Sequence, residues 1–158
     1  MSARRLSVRR ESWPLERPFA ISRGVKTAAE VVVCEIAGNG HAGRGECVPY
    51  GRYGETIGSV EAAIEGIAAA IEAGAGRTDL ARLMPAGAAR NAVDCALWDL
   101  EAKASDTPVW RLAGLTPPAA AITAYTISLG PPDAMGAAAA EARHRPLLKL
   151  KLGPDDPV

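Results

Sequence analysis

Near its C-terminal end the 158-residue chain carries Leu148-Lys149-Leu150-Lys151-Leu152. Side chains on an extended strand alternate faces, so both lysines point one way and the three leucines the other. On a strand of a (β/α) barrel the leucines pack outward against the helix layer. Both ammonium groups then enter the interior near the strand's C-terminal end, where barrel enzymes keep their chemistry. Two cations side by side disfavour each other's charge, and with partial desolvation that brings an amine toward the working range of a general base. The same alternation also suits a solvent-facing edge strand whose lysines only add solubility. Pattern alone leaves both readings open.

Other reactive residue types carry less. Asp94 and Asp99 flank Trp98 on a helical stretch, but a 3.6-residue period turns them toward different faces, and Asp94, Trp98 and Arg90 read as scaffold. His41 follows a turn and His144 ends a helix, where a cation suits the dipole, so neither reads as a base or a ligand. Cys34, Cys47 and Cys95 are odd in number and widely spaced, without a Cys-x-x-Cys pair, and are expected to be reduced core thiols.

The elements that must position these residues follow from periodicity. Residues 4 to 13 predict a first strand ending before Pro14, with Arg4, Arg5, Arg9 and Arg10 on its outward face, and Ala29 to Ile36 predicts a second. Arg17 to Gly24 between them reads as a functional loop. Asn39-Gly40 before His41 to Cys47 is a strong hairpin signal, so the N-terminal third is an antiparallel meander. Val60, Ile64, Ile67 and Ile71 recur at helical spacing, with Ser59 as N-cap and Gly74 as stop. A second helix is expected from Ala88 to Ala104, with Val93, Ala96, Leu97 and Leu100 on one stripe, and a short third begins at Thr107-Pro108 and ends at Gly114. Ala120 to Leu129 then reads as a buried strand, Pro131-Pro132-Asp133 opens an alanine-rich helix, and Leu147 to Leu152 closes a βαβ unit with a parallel pair.

With 18 Lys and Arg against 18 Asp and Glu, the chain has no net charge to attract nucleic acid, and its 48% hydrophobic and 23% charged residues suit a globular protein. No apolar run of signal-peptide length follows the N-terminal arginines, so a cytoplasmic location without membrane partners is expected. The 158 residues fall short of the roughly 250 that a complete (β/α) barrel needs.

The Lys-x-Lys strand, preceded by Ala124-Tyr125-Thr126-Ile127-Ser128, resembles the enolase superfamily, specifically its dipeptide epimerases of the L-Ala-D/L-Glu type. Three further blocks agree: Arg17 to Gly24, Gly45 to Thr56 with its Arg52-Tyr53-Gly54-Glu55-Thr56, and Met84 to Leu100. The resemblance implies an α+β capping domain, an antiparallel meander plus helices, over residues 1–116, followed by the first βαβ unit of a truncated (β/α) barrel over residues 117–158. It implies Mg²⁺-assisted α-proton abstraction and return through an enediolate, with Lys151 as one acid/base residue and Lys149 as its companion at the substrate carboxylate. A Lys or His base paired with Mg²⁺ is a pattern already described for this superfamily.

Thr126 would stand near the substrate, with strand filling as its bland alternative, and Arg23 would pair with an acidic side chain of the dipeptide unless it is merely solvated. Tyr53 and Glu55 would belong to a lid that excludes water, or to an ordinary turn. The metal ligands and a second catalytic lysine are expected on later barrel strands, none of them in this chain, because Asp155 and Asp156 read as loop or helix-start residues. The fragment is then expected to be inactive alone and, with an unclosed parallel sheet edge, to associate with itself. A muconate cycloisomerase, an o-succinylbenzoate synthase and a non-catalytic capping module are the alternatives.

Overall fold

The computed structural model describes residues 4–153, and Asp155 and Asp156 lie outside them. Contacts divide the chain into two units, one of residues 1–13 and 30–118, the other of residues 14–29 and 119–158.

Three strands, β1 (Arg5–Ile21), β2 (Gly24–Gly38) and β3 (His41–Cys47), form one sheet in the order β1-β2-β3. Asn39 and Gly40 both take positive φ, 51° and 79°, as a two-residue turn that matches strand twist requires. That turn sets Gly38 opposite His41, and the register runs antiparallel through Cys34 with Gly45 to Val32 with Cys47. β1 does not stop before Pro14 as expected. It runs through Pro14 and Pro18 because it is an edge strand, and prolines four residues apart turn their missing N–H to the same side. The expected loop Arg17 to Gly24 is accordingly a hairpin tip, with only Ser22 and Arg23 in the turn.

In the first unit, α1 (Ile57–Glu65) starts at Thr56, not at Ser59. Thr56 and Ser59 cap reciprocally, each side chain bonding the other's backbone N–H at 3.1 and 2.9 Å, an arrangement worth about 1 kcal/mol. The single helix expected as far as Gly74 is broken at Gly66-Ile67, and α2 (Ala68–Glu72) continues the apolar stripe. α3 (Arg77–Leu83), which periodicity did not signal, buries Leu80. α4 spans Ala88–Ala104 as expected and buries Ala92, Val93, Ala96, Leu97 and Leu100; α5 (Val109–Leu112) follows Pro108. The core joins these residues to Leu6, Val32, Cys34, Ile36, Cys47, Val60, Ile64 and Ile71.

The tightest packing is α4 on β3. A Cβ at Gly43 would lie 2.1 Å from the Ala96 carbonyl oxygen, and one at Gly45 would lie 2.0 Å from that of Ala92. Only glycine lets the two backbones approach so closely. Side chains of α4 also satisfy the open edge of β3: the Arg44 N–H donates to Asp99 at 2.8 Å, Lys103 donates to the Ala42 carbonyl at 2.9 Å, and Asn91 to that of Glu46 at 3.3 Å. Asp99 is therefore part of the scaffold. Burial pushes its carboxyl up, but the bonds from Lys103 and the Arg44 N–H and the Lys103 charge outweigh that and hold it below the usual range.

The second unit holds β4 (Tyr125–Ile127), α6 (Pro132–Glu141) and β5 (Leu148–Leu150), a βαβ unit whose strands pair in parallel. The strand expected over Ala120 to Leu129 shortens to three residues, since among the described residues the rest of that stretch, with Ile122 70% exposed, has no strand to pair with. Pairing at the other end extends past β5, where the Lys151 N–H donates to the Ile127 carbonyl at 3.2 Å. The Leu129 N–H donates to the Ala20 carbonyl at 3.1 Å and ties the hairpin tip to the end of β4.

Candidate functional site

Parallel pairing places Thr126 opposite Lys149. Paired residues on neighbouring strands project from the same face, and two residues on, so does Lys151. Thr126 and Lys151 are half-buried, and Lys149 is exposed. The Lys151 ammonium lies 5.9 Å from the centroid of the Phe19 ring on the hairpin tip, at the outer limit of a cation–π contact. Phe19 was not singled out from sequence, although its place in Arg17-Pro18-Phe19 two residues before Ile21 was the available signal.

The opposite face departs from expectation. Ile127 is 3% exposed under α6, but Leu150 is 54% and Leu152 47% exposed. Among the described residues α6 is the one helix of this unit, and none follows β5 to cover them. A cavity of about 510 Å³, lined by Arg17, Phe19, Tyr125, Met135, Glu141 and Arg145 among others, lies beside α6 and touches neither lysine.

Arg23 sits exposed in the hairpin turn of the same unit and makes no side-chain hydrogen bond or ion pair among the described residues. Its neighbour Arg17 spans 3.4 Å to Glu141. Tyr53 belongs to the first unit, at the end of a 3-10 turn (Gly51–Tyr53), and is 76% exposed. Glu55 does not point into solvent with it but accepts hydrogen bonds from the Tyr50 and Ala88 N–H groups.

Two thiols are core residues as expected. Burial pushes Cys34 up to about 12 and Cys47 to about 11, which keeps both protonated and unreactive. Cys95 corrects that expectation, since it is exposed at the rim of α4. Among the described residues no group of three His, Cys, Asp or Glu side chains could hold a metal ion.

The family model for the mandelate racemase/muconate lactonizing enzyme N-terminal domain matches residues 3–114. The chain belongs to this family. It is 46% identical over 151 residues to the L-Ala-D/L-Glu epimerase of Escherichia coli K12, covering 94% of this chain and 47% of that protein. Among solved structures it is similar to an enolase family member from Agrobacterium tumefaciens with homology to dipeptide epimerases, determined with sodium and L-Ala-L-Glu. That likeness has a TM-score of 0.92 and 50% identity over 97% of this chain and 47% of the other. A dipeptide epimerase from Methylococcus capsulatus, complexed with Mg and L-Arg-D-Lys, gives 0.83 and 29% over 98% and 47%. This family member thus spans about half the length of the relatives it matches. Its meander with helices followed by a parallel two-stranded unit is the fold of their N-terminal half. Among the described residues no helix is long and apolar enough to cross a membrane.

Proposed function

We propose that this chain is the N-terminal part of a dipeptide epimerase of the L-Ala-D/L-Glu type, with residues 1–116 as its capping domain and 117–158 as the start of its barrel. The observation that carries the reading is the common face of Thr126, Lys149 and Lys151 at the end of two parallel strands, in a chain 46% identical to an L-Ala-D/L-Glu epimerase. In this reading Lys151 removes or returns the α-proton on one face of the substrate Cα, and a group on the other face completes the inversion. A positioned proton-transfer group of this kind contributes roughly 10² to 10⁴ in rate.

Lys149 supplies a cation to the substrate carboxylate, and the Thr126 hydroxyl both donates to and accepts from the bound peptide. Arg23, exposed and without a protein partner among the described residues, is free to pair with an acidic side chain of the dipeptide. Tyr53 is a lid residue of the capping domain in this reading. The described residues do not fit a Mg²⁺ site, so no step is routed through the ion. In this reading its ligands belong to the length of the relatives that the chain does not span.

Fusing residues 1–158 to the C-terminal part of the E. coli relative tests the assignment. Solvent deuterium entering the glutamate α-position of L-Ala-L-Glu is the expected result. A folded chimera that turns over muconate and no dipeptide would favour a cycloisomerase, and one that turns over nothing would favour a capping module without catalysis.

A further inference from the structure

Glu55 sits where β3 has ended and α1 has not begun, and each of its carboxylate oxygens accepts a backbone hydrogen bond. Oε2 accepts from the Tyr50 N–H at 3.0 Å, and Oε1 accepts from the Ala88 N–H at 2.6 Å. Ala88 is the first residue of the 17-residue α4, whose opening N–H groups lack intrahelical partners and whose dipole favours a negative charge there. One side chain thereby joins the start of the Tyr50–Gly54 loop to the best-packed helix of the unit. At the neighbouring Gly87, where φ is 157°, an added Cβ would come 2.9 Å from Glu55 Oε1 and push that carboxylate aside.

The loop is closed on itself as well. Tyr53 N–H donates to the Tyr50 carbonyl at 2.9 Å, Gly54 N–H to that of Gly51 at 3.0 Å, and Gly54 turns the chain with φ 75°. The Tyr50 and Tyr53 rings meet at 5.6 Å between centroids with a 56° tilt. Past Glu55, the Thr56–Ser59 capping pair fixes the chain again. The outcome is a largely exposed aromatic held as a rigid block, and holding a contact surface in place before binding reduces the ordering cost of binding.

We infer that Glu55 is a positioning residue, a latch whose two backbone bonds tie the loop that carries the Tyr50–Tyr53 aromatic block to the N-terminus of α4. That the block covers a peptide rests on the function proposed above; the latch itself rests on the bonds alone. Amide hydrogen exchange of the 158-residue chain therefore tests the latch separately. In Glu55→Gln, one acceptor oxygen becomes a donor facing a donor, and the Tyr50, Tyr53, Gly54 and Ala88 amides should exchange roughly tenfold faster or more, with core amides of α1 and mid-α4 unchanged. Gly87→Ala, which keeps the carboxylate but displaces Oε1 and strains the backbone beside Ala88, should give the same signature at Tyr50, Tyr53 and Gly54. Unchanged loop exchange in both variants would overturn the inference, as would acceleration spread evenly over the whole unit. Either failure would leave the epimerase reading untouched.

Discussion

Thr126 and Lys149 stand opposite each other in the parallel register of β4 and β5, and Lys151, one residue past β5 and bonded to the Ile127 carbonyl, follows at the same spacing. Three polar side chains thus share the end of a two-stranded sheet whose other face presents Tyr125, Ile127, Leu148 and Leu150.

The leucine face should make the chain associate. Leu150, at the end of a strand with an open edge, and Leu152 just past it are both about half exposed. Gel filtration should give a concentration-dependent species larger than the monomer, and Leu150→Lys should shift it toward the monomer. A clean monomer at all concentrations would contradict this.

Close approach of α4 to β3 makes Gly45 intolerant of a side chain. Gly45→Ala should destabilise the first unit by at least about 2 kcal/mol, because the clash is with backbone that cannot turn aside. Gly51→Ala, with nothing within 4 Å of the added carbon, should be nearly neutral. Urea midpoints of the two variants check this.

Thiol titration should divide the cysteines by burial. Cys95 should react with a thiol reagent in the native chain, and Cys34 and Cys47 only on unfolding. The pH dependence has a definite sign. Both buried thiols have folded values raised above 9.0, to about 12 and about 11, so their contribution to stability is complete below pH 9 and is lost as pH rises from there through the folded values. Replacing both by alanine should flatten that alkaline loss, as urea denaturation between pH 8 and 11 would show.

How much of this was legible in the sequence depended on whether a signal was local. Asn39-Gly40 specifies its turn by its own backbone preferences, and α4 shows its stripe in Val93, Ala96, Leu97 and Leu100, so both were readable. The run of β1 through Pro14 and Pro18 was not, because a proline is tolerated only where the strand proves to be an edge, which is a tertiary fact. The lysine face was legible from alternation, whereas the Phe19 ring near Lys151 required the hairpin tip to fold against β4. Glu55 reads from sequence as a lid or turn residue, because its second partner, Ala88, lies 33 residues away.

In the proposed function Lys151 handles the α-proton on one face of the substrate. In the chimera with the E. coli relative, deuterium incorporation from D₂O into each epimer of Ala-Glu separates the two faces. Lys151→Ala should lose exchange from one epimer by roughly 10² or more, while Lys149→Ala lowers turnover without abolishing exchange. Exchange from both epimers at the unsubstituted rate in Lys151→Ala would remove Lys151 from the mechanism and with it the proposed assignment of this strand.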